Sequence, residues 1–149
     1  MYGSPNSRLA RAAASRVCYV QLNTQFQFLE MEAHPLVIRL YENVPMFESS
    51  FEKPYQELPH VVFGDLGLQL HDKIINGDVD CDLVVKSFDF FTQLSLENLS
   101  HIDELLVVSI YEGFYYSKVC NDFARSILSG RAKELYEYCM INGSIQSFY

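Results

Sequence analysis

The chain has 149 residues with a net charge of −8, and 49% of its residues are hydrophobic. This length and apolar content suit one folded domain with a real core and exclude a disordered acidic tail. Lys and Arg are scattered and outnumbered 11 to 19 by Asp and Glu, which argues against direct binding to nucleic acid or to an anionic membrane.

The charge is divided unevenly along the chain. The first 29 residues contain Arg8, Arg11 and Arg16 and no acidic residue. The rest of the chain, from Glu30 onward, holds all 19 acidic residues and 8 of the 11 basic ones, so its net charge is −11. Such a body attracts a basic protein partner, although acidity of this kind also simply keeps many proteins soluble.

Residues 1–22 form a leader rich in Ala, Arg and Ser. This composition is typical of an organelle transit peptide, but we favour two alternatives, a short peripheral helix or an upstream extension. We therefore divide the chain into a basic leader at 1–22 and an acidic helical domain at 23–149. No stretch approaches the roughly 18–20 apolar residues of a membrane span.

The four cysteines show no spacing that is typical of a zinc site or a redox motif. They are Cys18, Cys81, Cys120 and Cys139. We expect buried, reduced thiols in a cytoplasmic protein that carries no metal and no cofactor.

Apolar spacings of three and four predict an all-α fold, a single-domain bundle of about six to seven helices. The first helix spans residues 23–43, and Pro35 should kink or split it near His34. Residues 44–58 contain two prolines and predict a loop with one short helical turn.

A second helix is expected from Pro59 to about Ile75, and Asn76-Gly77 should end it in a left-handed cap. Its apolar stripe consists of Val62, Leu66, Leu70 and Ile74. Gly64 and Gly67 lie inside this helix, where glycine is unfavourable by about 1 kcal/mol, so close helix packing is their expected purpose.

Asp78, Asp80 and Asp82 alternate as acids do in a calcium-binding loop. However, Leu83 and Asp89 stand where such a loop needs Gly and Glu. We therefore expect these acids to cap the N-terminus of a helix over about residues 83–94.

Ser100 and Asp103 resemble a capping box, and the helix that follows them, to about Tyr116, is the most apolar in the chain. It should therefore be central in the bundle. Two shorter helices complete the prediction, at residues 120–128 and 131–141. Their expected inward residues are Phe123, Ile127, Leu135, Tyr136 and Cys139.

No enzyme motif is present, and the four histidines are far apart in the sequence. His101 and Glu104 stand one helical turn apart, as two metal ligands would. At a helix start, such a pair more often contributes to capping and solvent contact. We expect a protein without catalytic activity.

Antiparallel packing would bring helix starts and ends to one side of the bundle, where acids and tyrosines could form a protein-binding patch. The proposed binding residues are Asp72, Asp78, Asp80, Asp82, Asp89, Glu97, Asp103, Glu104, Tyr111, Glu112 and Tyr115. The alternative is a solvated acidic face with tyrosines in the core.

Three further segments are Phe63-Gly64-Asp65, residues 84–91 and residues 105–113, the last an apolar stretch ending in Glu112-Gly113. In these segments the chain resembles small all-helical bacterial immunity proteins, which neutralise toxins delivered by neighbouring cells in contact-dependent growth inhibition. The resemblance implies a stoichiometric, non-catalytic inhibitor whose acidic surface occludes a basic toxin domain such as a nuclease. The alternative is a helical adaptor or regulatory subunit that binds through apolar and tyrosine contacts.

Overall fold

The computed structural model describes residues 33–141, and every regular element in this range is helical. The predicted all-α class is therefore confirmed. The leader, residues 23–32 and the C-terminal tail lie outside the described residues, so the proposed boundary at residue 22 stays a prediction. No helix of the described range has the length and apolar content required to cross a membrane.

Seven α-helices follow one another in the described range, as expected for the bundle. They are α1 (Pro35–Asn43), α2 (Pro59–Ile75), α3 (Asp82–Ser95), α4 (Ser100–Leu106), α5 (Glu112–Tyr115), α6 (Lys118–Ile127) and α7 (Gly130–Ile141). A 3-10 helix at Lys53–Glu57 provides the short turn that was predicted in the loop before α2. A π-helical segment at Val107–Tyr111 joins α4 to α5, and residues 100–115 are called the central rod below.

Helix α1 begins at Pro35, where the missing proline N–H removes no helical hydrogen bond. His34 is the N-cap residue, and its Nδ1 accepts a hydrogen bond from the Leu36 N–H at 3.2 Å. This helix start lies where the kink or split was expected, while the part of the predicted helix at residues 23–32 lies outside the described residues.

Helix α2 buries its predicted apolar stripe completely, since Val62, Leu66, Leu70 and Ile74 are at most 1% exposed. Gly77 follows it with a φ of 77°, the left-handed conformation expected of a glycine cap.

Only one of the two α2 glycines serves close packing. A Cβ at Gly67 would lie 2.9 Å from the carbonyl oxygen of Ser109 on the central rod, whereas a Cβ at Gly64 would meet nothing within 4 Å. On the same two elements, His60 Nδ1 and Ser109 Oγ are 3.0 Å apart. The π segment thus lies directly against α2.

The central rod lies in the middle of the described bundle, as its apolar sequence predicted. Ile102, Leu106, Ile110 and Phe114 are at most 1% exposed, and the rod contacts α2, α3, α6 and α7. Aromatic rings line its core side, where Phe114 stacks on Phe88 with ring centroids 5.7 Å apart.

The π segment changes which side of the rod faces the core. In an uninterrupted α-helix, Tyr111 would lie about 140° around the axis from Leu106 and would face away from the core. Here the Glu112 N–H bonds the carbonyl of Val107, five residues back, which turns Tyr111 toward the side of Leu106. The apolar pattern of the sequence did not predict this π turn.

Two predicted helix caps are wrong. The N-cap residue of α4 is Leu99 and that of α3 is Cys81, and neither end has a side-chain cap hydrogen bond. The Asp103 carboxylate instead accepts a hydrogen bond from Arg131. Asp82 alone stands in the first turn of α3, where the helix dipole favours its charge.

Helix α6 is capped by Ser117, whose Oγ accepts a hydrogen bond from the Cys120 N–H at 3.3 Å. Phe123 packs edge-on against Phe88 at 5.4 Å, as an inward residue should. The inward placement of Ile127 is wrong, because Ile127 is 38% exposed while Ala124 is fully buried. On α7, Tyr136 and Cys139 are buried and Leu135 packs on the core, as predicted.

Candidate functional site

An open depression of about 270 Å³ lies at the junction of α2 and α3. It forms where α2 ends and Gly77 turns the chain toward α3. Its lining residues are Gln69, Asp72, Lys73, Asn76, Asp78 and Leu83. Two of the acids predicted to bind a partner, Asp72 and Asp78, therefore share one concave surface, which we call the acidic depression.

The two carboxylates of the acidic depression differ in how they are balanced. The Asp72 side chain is 82% exposed, and its Oδ1 lies 3.9 Å from Nδ1 of His71. Asp78 Oδ2 accepts a hydrogen bond from Lys73 Nζ at 3.1 Å, and both of these side chains are about half exposed. An exposed ion pair of this kind contributes only about 0–1 kcal/mol, so a competing cation can displace Lys73.

Three further predicted acids lie on the same stretch of chain and are exposed. Asp80 and Asp82 lie in and just after the turn that connects α2 to α3, and Asp89 lies on α3. Their exposure leaves them open to a partner, although none of them lines the depression.

Glu97 forms a surface ion pair with Arg39 of the same chain. Arg39 on α1 donates from both terminal nitrogens to the two Glu97 oxygens, one of these bonds measuring 3.3 Å. This hydrogen bonding lowers the pKa of Glu97 and raises that of Arg39. Glu97 therefore ties α1 to the turn after α3, and its carboxylate is already neutralised.

Asp103 is likewise paired, with Arg131 on α7, and both side chains are mostly buried. The pair links α7 to the start of the central rod. Asp103 is thus a structural residue, because a half-buried charge whose partner is removed becomes costly.

The placement of Tyr111 on the binding surface is wrong. Its side chain is fully buried, and its ring meets those of Phe91 and Tyr136 edge-on. Burial strongly raises the pKa of Tyr111, and the same cause raises the pKa of Tyr136. The π segment explains the error, because it turns Tyr111 into the core.

The remaining predicted residues lie along the central rod and not in the depression. Glu104 is exposed and Glu112 is half-buried. Tyr115 is 39% exposed and contacts the ring of Tyr116, which is 70% exposed. The predicted patch is thus divided among the depression, the α2–α3 turn with α3, the central rod and two ion pairs, and Tyr111 lies in the core.

Sequence reasoning missed Gln69, Asn76 and Asp65. The amides of Gln69 and Asn76 line the depression, but a single amide on a polar helix face gives no signal. Asp65 did give a signal in the sequence, because it is an acidic residue within an apolar stretch. In the structure it is buried, with 6% exposure.

The described residues contain no group of three or more His, Cys, Asp or Glu placed to hold a metal ion. The acidic depression offers an electrostatic surface, a concavity with one open carboxylate, Asp72, and one carboxylate, Asp78, that is countered by the half-exposed Lys73. No known family model, curated protein or solved structure matches the chain.

Proposed function

We propose that the chain is a non-catalytic inhibitor that binds a basic protein, of the toxin-nuclease kind, through the acidic depression. The observation that carries the proposal is the pairing of an open carboxylate, Asp72, with a weakly countered one, Asp78, in one concavity. The surroundings support it, because residues 33–141 contain 17 acidic and 8 basic residues, a net charge of −9.

Recognition would proceed in two steps. The negative field of the body first steers a positively charged partner toward it, which raises the association rate at low ionic strength. A partner lysine or arginine then replaces Lys73 at Asp78 and also meets Asp72. A partner whose phosphate-binding lysines or arginines are paired with these carboxylates would exclude nucleic acid without any chemical step.

The test is a pull-down from the protein's own cells, at low and high salt, with mass spectrometry of the retained proteins. Three baits are compared: the native chain, a depression variant and a control. The depression variant carries Asp72→Lys and Asp78→Lys, and the control carries Glu42→Lys and Glu134→Lys at two exposed acids outside the depression. Both variants change the net charge equally. The proposal predicts a basic protein that the native chain and the control retain at low salt and the depression variant loses. Equal retention by all three baits contradicts it.

A helical adaptor is the second candidate, because several apolar side chains are exposed on α2, on α6 and just before α6. Leu68 is 69%, Tyr116 70% and Val119 56% exposed. Binding through such residues depends little on salt. A neutral partner that all three baits retain equally at high salt would favour the adaptor.

A further inference from the structure

A buried carboxylate organises the loop between α1 and α2. Asp65 accepts hydrogen bonds from the Ser50 N–H at 2.6 Å, from the Ser50 hydroxyl at 3.2 Å and from the Ser49 hydroxyl at 3.3 Å. Burying a charged carboxylate is unfavourable unless hydrogen bonds compensate it. In Asp65 that compensation comes mainly from the loop, so the loop conformation is specified by this residue.

Two further contacts hold the loop near its ends. Phe47, which is 2% exposed, stacks on Tyr41 with ring centroids 5.8 Å apart. Near the far end, the carbonyl of Gln56 accepts a hydrogen bond from the His34 N–H at 3.3 Å. The loop is therefore held to α1, to the residue that precedes α1 and to α2.

This ordered loop displays large apolar side chains to solvent. Phe51 is 41%, Tyr55 50% and Leu58 50% exposed, and the rings of Phe51 and Tyr55 lie 5.8 Å apart. Acidic residues alternate with them along the chain at Glu48, Glu52 and Glu57. Residues 48–58 are called the aromatic–acid loop below.

We propose that the aromatic–acid loop is a preformed docking site for an arginine-bearing segment of a basic protein. A guanidinium group stacks on aromatic faces and pairs with carboxylates at the same time, which a lysine ammonium does less well. The net negative charge of the loop and of the body complements such a segment. A loop that is already ordered loses little conformational entropy on binding.

This site lies beside the acidic depression. The Gln69 side chain lines the depression and its Nε2 also donates to the Glu48 carbonyl at 2.9 Å. One partner can therefore span both sites. The inference shares a basic partner with the proposed function but depends on different residues, so the two can fail separately.

The test compares a short acetylated Arg-Gly repeat peptide with the matching Lys-Gly repeat. Both are titrated into the isotopically labelled full chain and followed by two-dimensional NMR. The expected result is shifts of the 48–58 amides and a preference of about two- to five-fold for the arginine peptide. In Phe51→Leu/Tyr55→Leu, which stays apolar but loses both rings, the preference should fall to about one.

Two control variants separate the contribution of the acidic depression to peptide binding from that of the aromatic–acid loop. Asp72→Asn/Asp78→Asn should weaken both peptides alike and leave the preference unchanged. Asp65→Asn keeps both rings but weakens the hydrogen bonds to the loop, and should lower the preference. Equal binding of both peptides to the native chain, without shifts at 48–58, would overturn the proposal. Self-association of the native chain that disappears in Phe51→Leu/Tyr55→Leu would also overturn it, since a second copy would then be the occupant.

Discussion

Gln69 and Glu48 are joined by a hydrogen bond of 2.9 Å between the amide of Gln69 and the carbonyl oxygen of Glu48. Because Gln69 also lines the acidic depression, the depression and the aromatic–acid loop form one neighbourhood on the side of α2. Asp65, one helical turn before Gln69, lies 3.4 Å from the same amide. Gln69 thus connects the loop to one wall of the depression.

Replacing Asp65 by Ala should destabilise the protein by about 1–3 kcal/mol, because the Ser50 N–H and two serine hydroxyls lose their acceptor. Urea unfolding gives the free energy, and amide hydrogen exchange at Ser50 and Phe51 reports the loop. The control is Asp89→Ala, at an exposed α3 site, with an expected effect within about 0.5 kcal/mol. If Ser50 stays protected in Asp65→Ala, Asp65 does not hold the loop.

Gly67→Ala should destabilise the protein by about 1–3 kcal/mol, since its Cβ would lie 2.9 Å from the Ser109 carbonyl and force α2 away from the π segment. Gly64→Ala is the matched control on the same helix. Its Cβ meets nothing within 4 Å, so the gain in helix propensity should stabilise the protein by up to about 1 kcal/mol. Thermal unfolding of both variants measures the difference, and equal melting temperatures would refute the close contact.

Tyr111→Phe should leave stability unchanged or raise it by about 1 kcal/mol. The Tyr111 hydroxyl is buried without a hydrogen-bond partner among the described residues, and removing it relieves an unsatisfied group. Tyr136→Phe should instead cost about 1 kcal/mol, because the Tyr136 hydroxyl donates to Asn121 Oδ1 at 2.6 Å. A Tyr111→Phe variant less stable than Tyr136→Phe would show that the Tyr111 hydroxyl is paired.

Stability should fall as the pH rises above about 10, the ordinary pKa of tyrosine. Burial raises the pKa values of Tyr111 and Tyr136 in the folded state. Above pH 10 the unfolded chain therefore releases protons that the folded chain retains, which favours unfolding. Urea unfolding between about pH 9 and about pH 11.5 measures the loss, and it should be smaller in Tyr111→Phe/Tyr136→Phe. An equal loss of stability in that variant would show that Tyr111 and Tyr136 do not cause it.

Local rules predicted most of the fold. The spacing of Val62, Leu66, Leu70 and Ile74 identified the buried face of α2. Pro35 predicted a kink or split near His34, and α1 begins at Pro35 because proline at the first position loses no hydrogen bond. Gly77 marked a helix end because glycine readily adopts a positive φ.

The errors arose where tertiary contacts override local rules. Asp103 has the spacing of a capping residue, but Arg131, 28 positions away, takes its carboxylate. Tyr111 was proposed as a binding-patch residue, but it lies in the core at the end of the π turn. The site was predicted only at Asp72 and Asp78, since neighbours in sequence across a tight turn remain neighbours in space. Glu97 and Asp103 depend on long-range pairing that periodicity does not encode.

The central claim is that the acidic depression recognises a basic protein, and the association rate constant with the captured partner tests it most directly. The rate is compared over a range of salt for the native chain, Asp72→Lys/Asp78→Lys and the equally charged control Glu42→Lys/Glu134→Lys. We predict that at low salt the depression variant associates at least about ten-fold more slowly than the control, and that the difference shrinks as salt screens the charges. Equal rates for the two variants at every salt concentration would contradict the claim.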